Sequence, residues 1–254
     1  EVLFKMLTKN FGLKVNGEAF LSVSNSFDFS VVRKLQFKLL SLEALFFGQA
    51  GLLDDDIQEV YYLELTKEYQ FLKQKFNLSN QNVVPLQFFR LRPPNFPTIR
   101  LSQLAMLYYK QQNLFSKIMN AKSINEFYTL FTVTTSASWE THFTFNKTSK
   151  PSKKVVTKSF IDLLLINTII PLKFSYAKQQ GKVIDDDIVA VIQGITSEKN
   201  SIVEKFNTLK SVSKTGLQSQ ALLQLKNEYC DKNKCLQCAI GNRLLGGAKR
   251  KSIS

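Results

Sequence analysis

Apolar residues recur along most of this chain at intervals of three and four, the spacing that lays a single stripe along an α-helix. Val2, Leu3, Met6, Leu7 and Phe11 open the sequence with that spacing, and Gly12 marks its end. A second stretch starts at Asp28, a residue suited to cap a helix, and runs through Val31, Val32, Leu35, Leu39, Leu42, Leu45 and Phe46 until Gly48 and Gly51 break it. The acidic turn of Asp54, Asp55 and Asp56 then leads into an amphipathic run over residues 57–76. Three carboxylates at that position complement the helix dipole, so they read as a helix start in preference to a metal site.

Residues 77–97 are rich in Asn, Gln and Pro, and Pro93, Pro94 and Pro97 forbid a continuing helix there. Thr98 is the expected start of the next helix, running to Phe115. Ser123 followed by Glu126 spells a capping box for a short helix ending at Phe131. Residues 132–157 are dense in Thr, Ser and Lys around Trp139, His142, Phe143 and Phe145, the composition of a long ordered loop or a short hairpin. A buried helix over 159–178 follows, with a kink expected at Pro171. Four further helices are expected near 185–193, 198–209, 217–229 and 236–245, the first opened by Asp185, Asp186 and Asp187. The tail 246–254, with Lys249, Arg250 and Lys251 among small residues, is expected to be disordered. The pattern is that of an all-α, multi-helix globular domain over residues 1–245, with a subdivision near 150–158, one long Pro-rich loop and a short hairpin near 132–157.

Composition narrows the class. Gly and Pro number only 10 and 6 in 254 residues, which argues against collagen-like repeats and turn-rich β architectures. A chain of this length can bury one large core or two modest ones without disulfides. Glu1 to Lys14 lacks the basic, apolar, small-residue order of a secretory signal. The most apolar stretch, 161–177, is interrupted by Asp162, Asn167, Pro171 and Lys173, so it reads as a buried helix and no membrane partner is expected. Three Cys packed into nine residues, with none elsewhere, cannot form a spread disulfide framework and favour a reducing, cytoplasmic setting.

The formal net charge of +14 is unevenly spread. Residues 69–161 hold 13 Lys and Arg against only Glu126 and Glu140, and such segregated positive charge favours a polyanionic partner. Within that region the segment from Phe88 to Arg100 sets Arg90, Arg92 and Arg100 among stiffening prolines, a candidate phosphate or carboxylate nest. With Lys150, Lys153 and Lys154 these are the candidate anion- or nucleic-acid-binding residues. The competing reading is that the arginines pair with the capping Asp runs or with helix C-termini.

Catalysis finds little support. There is a single His and no strand-turn nucleophile elbow, Walker A loop, dinucleotide fingerprint or paired-His metal motif, so no catalytic residue is assigned. The window Trp139, Glu140, Thr141, His142 is better read as a packed loop than as a general acid/base pair. Cys230, Cys235 and Cys238 form a Cys-x4-Cys-x2-Cys cluster that is a candidate zinc or iron–sulfur site, one ligand short unless His142 completes it; ordinary packing is the alternative.

Several strings occur together in one order: Asn10-Phe-Gly-Leu-Lys-Val-Asn16, Leu42-Glu-Ala-Leu-Phe-Phe-Gly-Gln-Ala-Gly51, Arg90-Leu-Arg-Pro-Pro-Asn-Phe-Pro-Thr-Ile-Arg100, Ile166-Asn-Thr168 with Pro171, Ser219-Gln-Ala-Leu-Leu-Gln-Leu-Lys226, and Tyr229-Cys-Asp running on to Cys235-Leu-Gln-Cys-Ala-Ile-Gly241. Together they resemble the bacterial family catalogued as domain of unknown function 2851. That resemblance implies a longer protein whose N-terminal part is similar to the core of PD-(D/E)XK nucleases, with this chain matching the helical C-terminal part. It assigns no role to the Arg-Pro loop or to the cysteines. The expected function is therefore a non-catalytic nucleic-acid-binding accessory, with DNA or RNA and the protein's own N-terminal domain as partners. The alternative is a structural or protein-interaction domain.

Overall fold

The computed structural model describes residues 1–248, and among them the chain is predominantly helical with one small hairpin. It divides into two compact units, Glu1–Val183 and a second beginning at Ile184.

The first unit opens with α1 (Val2–Phe11) and α2 (Leu13–Asn25), which pack on each other across a tight corner at Leu13, whose φ is +55°. Helix α2 was not expected: Asn16, Gly17, Ser22 and Ser24 dilute its apolar stripe, and packing supplies what local preference lacks. The stretch read as one helix from Asp28 is two, α3 (Phe29–Leu35) and α4 (Leu39–Gln49), separated at Gln36, Phe37 and Lys38. Asp28 does cap α3, its carboxylate accepting from the Ser30 amide at 2.7 Å.

Gly48 lies inside α4, where a Cβ would overlap the Tyr69 ring at 2.2 Å. It permits close approach of α5 (Val60–Phe76), while Gly51, with φ +68°, lies just beyond the helix end. Helix α5 begins after Glu59, so Asp54, Asp55 and Asp56 lie in the preceding turn and do not cap it.

Helix α6 (Pro97–Lys110) starts one residue before Thr98, with Pro at its first position and no side-chain cap. It ends before Phe115, and the remainder of the expected helix is a separate α7 (Leu114–Asn120). The capping box of Ser123 and Glu126 is formed at the head of α8 (Ile124–Phe131). Strands β1 (His142–Thr144) and β2 (Lys147–Thr148) make an antiparallel hairpin that pairs His142 with Thr148 and turns at Asn146, φ +62°.

Helices α9 (Lys158–Leu164) and α10 (Ile170–Gln179) are joined without a break by a π-helical turn over Leu165–Ile169. Pro171 has no N–H to give and its ring crowds the preceding turn, so a wider turn placed just upstream accommodates it. This helical stretch, Lys158–Gln179, is long and apolar enough to cross a membrane by length and composition. Its Phe160, Ile161, Leu164, Leu165 and Ile169 are instead buried in this unit.

Two helices, α4 and α6, are buried nearly all round, and the aromatic core gathers about them. Phe4, Phe27, Phe29, Phe46 and Tyr108 form one cluster; Phe47, Tyr61, Tyr62, Trp139 and Phe145 form another.

The second unit contains α11 (Asp185–Gly194), α12 (Ser201–Leu209), α13 (Gly216–Gln224), a π turn over Leu225–Cys230 and α14 (Ala239–Ala248). Asp185, Asp186 and Asp187 occupy the first turn of α11 as expected. Asn200 caps α12 through the amides of Ile202 and Val203, and Thr215 with Gln218 forms a capping box on α13. Helix α14 extends through Ala248, and Lys249, Arg250 and Lys251 of the expected tail lie outside the described residues.

Candidate nucleic-acid interface

The first turn of α6 is the floor on which two basic segments meet. From one side comes the Pro-rich loop, pinned to α2 by a reciprocal pair of hydrogen bonds between Asn16 and the backbone of Gln87, both 2.8 Å. Ser22 adds a third tie by accepting from the Val84 amide at 2.9 Å. The loop enters α6 through a single 3-10 turn, Pro93–Asn95. From the other side the hairpin and the extended chain after it run along α6. The Thr98 hydroxyl donates to the Phe143 carbonyl at 2.5 Å, and Gln103 Nε2 donates to the Lys154 carbonyl at 2.9 Å.

These ties sort the six basic residues singled out from the sequence into two groups. Arg100 points inward. Its guanidinium lies 3.8 Å from the centre of the Phe160 ring and donates to Asn95 Oδ1 at 2.6 Å and Gln103 Oε1 at 2.9 Å. Burial without a carboxylate pushes its pKa down to about 10, so it stays charged at neutral pH. Lys154 is also buried. Its ammonium donates to the carbonyls of Glu140 at 2.7 Å and Ser152 at 3.2 Å and rests 4.4 Å from the Phe143 ring centre, and burial lowers its pKa. Both cations clamp loops, Arg100 the Pro-rich loop through Asn95 and Lys154 the chain around Glu140 and Ser152. Thr98, Ile99 and Pro97 are buried too, so the first turn of α6 does not offer its amides to a solvent phosphate as the nest reading required.

Arg90, Arg92, Lys150 and Lys153 are the outward group, all exposed. Lys147 on β2 joins them. Among the described residues none of these five forms a salt bridge; the nearby Glu59 is occupied by the Asn146 amide at 3.4 Å and His142 Nε2 at 3.7 Å. Arg90 adopts a left-handed backbone, φ +61°, and its guanidinium lies 5.0 Å from the centre of the Phe89 ring. Phe89 is 77% exposed, a large aromatic held out in solvent beside a cation. Sequence reading passed over it; the signal was the doubled Phe88-Phe89 ahead of the arginines, of which only Phe88 turns in to meet Phe96, ring centres 5.3 Å apart.

A second arrangement also escaped notice. Glu43 is buried in α4, 1% exposed, and forms no salt bridge among the described residues. Its carboxylate accepts from the Ser102 hydroxyl at 2.5 Å and the Tyr61 hydroxyl at 2.7 Å, while Ser102 Oγ accepts from the Ser136 amide at 3.1 Å. Burial pushes the Glu43 pKa up to about 6 against the lowering effect of those donors, and the Tyr61 phenol is driven well above its usual value by burial and the adjacent carboxylate. The hint was a lone Glu in an otherwise apolar helical run, Leu39–Gln49. This network ties α4, α5, α6 and the 132–139 loop together.

The cysteines do not converge. Cys230 and Cys235 are exposed on either side of the turn through Asn233, φ +52°, whereas Cys238 is buried. Among the described residues no three His, Cys, Asp or Glu side chains are gathered so as to hold a metal ion. The reason is local: Cys230 ends a π turn and Cys235 opens a 3-10 turn, so the close sequence spacing does not bring the three thiols to one point.

A profile of the family described as protein of unknown function (DUF2851) matches residues 1–201. The chain belongs to this family. The match takes in the whole first unit, with the Arg-Pro loop, the hairpin and Glu43, and ends at the start of α12, ahead of the three cysteines. Comparison with curated proteins and with solved structures gives no significant match.

Proposed function

We propose that this member of the DUF2851 family is a non-catalytic, nucleic-acid-binding accessory module, acting in the cytoplasm beside the nuclease-like N-terminal part that the family resemblance implies. The observation that carries the reading is the exposed Phe89–Arg90 pair, flanked by Arg92 and facing solvent without a carboxylate partner among the described residues. An exposed ring beside a guanidinium is a stacking platform for an unpaired base, and the adjoining cations supply phosphate neutralisation. Lys147, Lys150 and Lys153, carried on the segment tied to the same helix by Thr98 and Gln103, extend the positive surface. Single-stranded nucleic acid suits this platform better than duplex, because duplex bases are already stacked.

Fluorescence anisotropy with short single- and double-stranded DNA and RNA, repeated over a range of salt, tests the proposal. Single strands should bind more tightly than duplexes. Removing Arg90, Arg92, Lys150 and Lys153 together should weaken binding and reduce the slope of log affinity against log salt by about 0.7 for each phosphate that is no longer neutralised. Phe89→Ala should weaken single-strand binding with little change in that slope. Absence of binding at low salt, or binding indifferent to both changes, would return the domain to a structural or protein-interaction role.

A further inference from the structure

The surface where the end of α3 meets the end of α5 repeats the chemistry of the Phe89–Arg90 pair. The segment from Lys34 to Lys38 runs beside the last turns of α5: Lys34 Nζ lies 5.7 Å from the centre of the Phe76 ring, and Lys38 Nζ donates to Glu68 Oε2 at 2.8 Å. Between those two contacts Phe37 stands out in solvent, 67% exposed. On α5 itself Phe71, one turn beyond Glu68, is 55% exposed. Lys75 Nζ lies 5.3 Å from the Phe71 ring centre and 5.5 Å from that of Phe76, so one ammonium serves two rings.

Single apolar side chains are ordinary on a protein surface, but rings gathered with ammonium groups point to a partner. The carboxylates within reach are already committed. Glu68 accepts from Lys38 and, at 2.5 Å, from the Ser41 hydroxyl, while Asp28 accepts from the Ser30 amide at 2.7 Å. Lys34 and Lys75 form no salt bridge among the described residues. Lys75 lies in the last turn of α5, where a cation also suits the helix dipole, but Phe37 and Phe71 take no part in that role. Positive charge is thus left over beside exposed rings, and the surface complements a partner that is both anionic and flat.

The Pro-rich loop starts from this surface and leads to the other. It begins at Asn77, directly after Phe76, is tied to α2 at Val84 and Gln87, and delivers Phe89. Phe89 follows Phe76 by 13 positions, and an extended chain covers at most about 3.5 Å per residue, so the two lie within roughly 45 Å. At about 3.4 Å per nucleotide of a stacked strand, on the order of 13 nucleotides cover that span. We infer that Phe37, Phe71 and Phe76, with Lys34 and Lys75, form a second contact for the same single strand, which the protein grips at both ends of its Pro-rich loop; the inference rests on the function proposed above. Rings stack on any base and lysines neutralise any phosphate, so this contact adds affinity and a preference for length without a preference for sequence. Joined by one strand, the second engagement becomes intramolecular.

Photo-crosslinking of the unaltered protein to an oligothymidylate of about 20 nucleotides carrying 5-iodouracil, longer than that span, maps the contacts directly. Crosslinks should fall on Phe71 or Phe37 as well as on Phe89. In anisotropy titrations the joint replacement Phe71→Ala and Lys75→Ala should weaken binding of this oligonucleotide about tenfold and reduce the salt slope by about 0.7. Phe71→Trp, which keeps a stacking ring, should retain the affinity. Both positions are exposed, so thermal unfolding should be unmoved by these replacements. Crosslinks confined to the Phe89 segment, or an affinity indifferent to the joint replacement, would overturn the second contact and leave the Phe89–Arg90 platform standing. Absence of binding by the unaltered protein would overturn both.

Discussion

The two units of this chain are held together differently. In Glu1–Val183 two helices, α4 and α6, are almost wholly enclosed, and interlocking aromatic clusters fill the space about them. In the second unit, among the described residues, the buried apolar side chains are Ile188, Val191, Ile195, Val203 and Cys238, while Leu209, Leu236 and Leu244 are each more than 70% exposed. What it has instead are local ties: the Asn200 cap, the Thr215–Gln218 box, and Asn207 Oδ1 accepting from the amides of Val212 and Ser213, both at 3.0 Å. Burial scales with area and accumulates, whereas a local hydrogen bond contributes only about 1 kcal/mol net. The first unit is therefore stabilised by its interior and the second largely by its turns.

That contrast is most sharply tested by truncation. Phe47→Ala should cost about 3–5 kcal/mol, read from the urea midpoint by fluorescence of Trp139, which Phe47 touches with ring centres 5.4 Å apart. Val203→Ala in α12 should cost only about 1–2 kcal/mol, read from exchange of α12 amides. Comparable losses at the two sites would erase the distinction. Next in size is the pair of fates given to the arginines. Arg100→Ala should cost about 2–3 kcal/mol by stranding Asn95 and Gln103 and uncovering Phe160, whereas exposed Arg92→Ala should stay within about 0.5 kcal/mol.

Glu43 gives a pH test. Its folded pKa, about 6, lies above its unfolded value near 4.5, so the native state binds the proton more tightly. The resulting stability is fully present below pH 4.5 and is lost as the pH rises to about 6, amounting to about 2 kcal/mol. Urea midpoints measured across that window should fall with rising pH, and Glu43→Gln should flatten this component of the profile. Smaller again is Asn200→Ala, which removes the α12 cap and should cost about 1 kcal/mol, read from exchange of the α12 amides.

Much of the helical order was legible, because periodicity and caps are local signals: Asp28, the Ser123–Glu126 box and the Asp185 run all stand where the pattern put them. What failed was whatever depended on distant partners. Helix α2 forms on α1 despite its weak stripe, and Gly48 reads as a breaker until the Tyr69 ring is placed against it. The same limit governs the interface. Arg92 and Arg100 look alike in the sequence, and only Asn95, Gln103 and Phe160 decide that the second turns inward. Glu43 was hidden for the same reason, since its three hydroxyl and amide associates lie 18 to 93 positions away along the chain.

The π turn at Leu165–Ile169 makes the long helix behave as a gear with one extra tooth. Downstream of it, Lys173 Nζ donates to the carbonyls of Ile118, Met119 and Ala121 at 2.8–3.1 Å, standing over the C-terminal end of α7 like a bound monovalent cation. The wide turn takes up one residue more than an α turn and leaves the register beyond it unchanged, so a deletion there is absorbed, whereas deleting Leu172 from the regular winding that follows would turn Lys173 through about 100°. Lys173 would then swing out of mesh with α7, so the Leu172 deletion should strip exchange protection from α7 while the helix containing it stays fully wound.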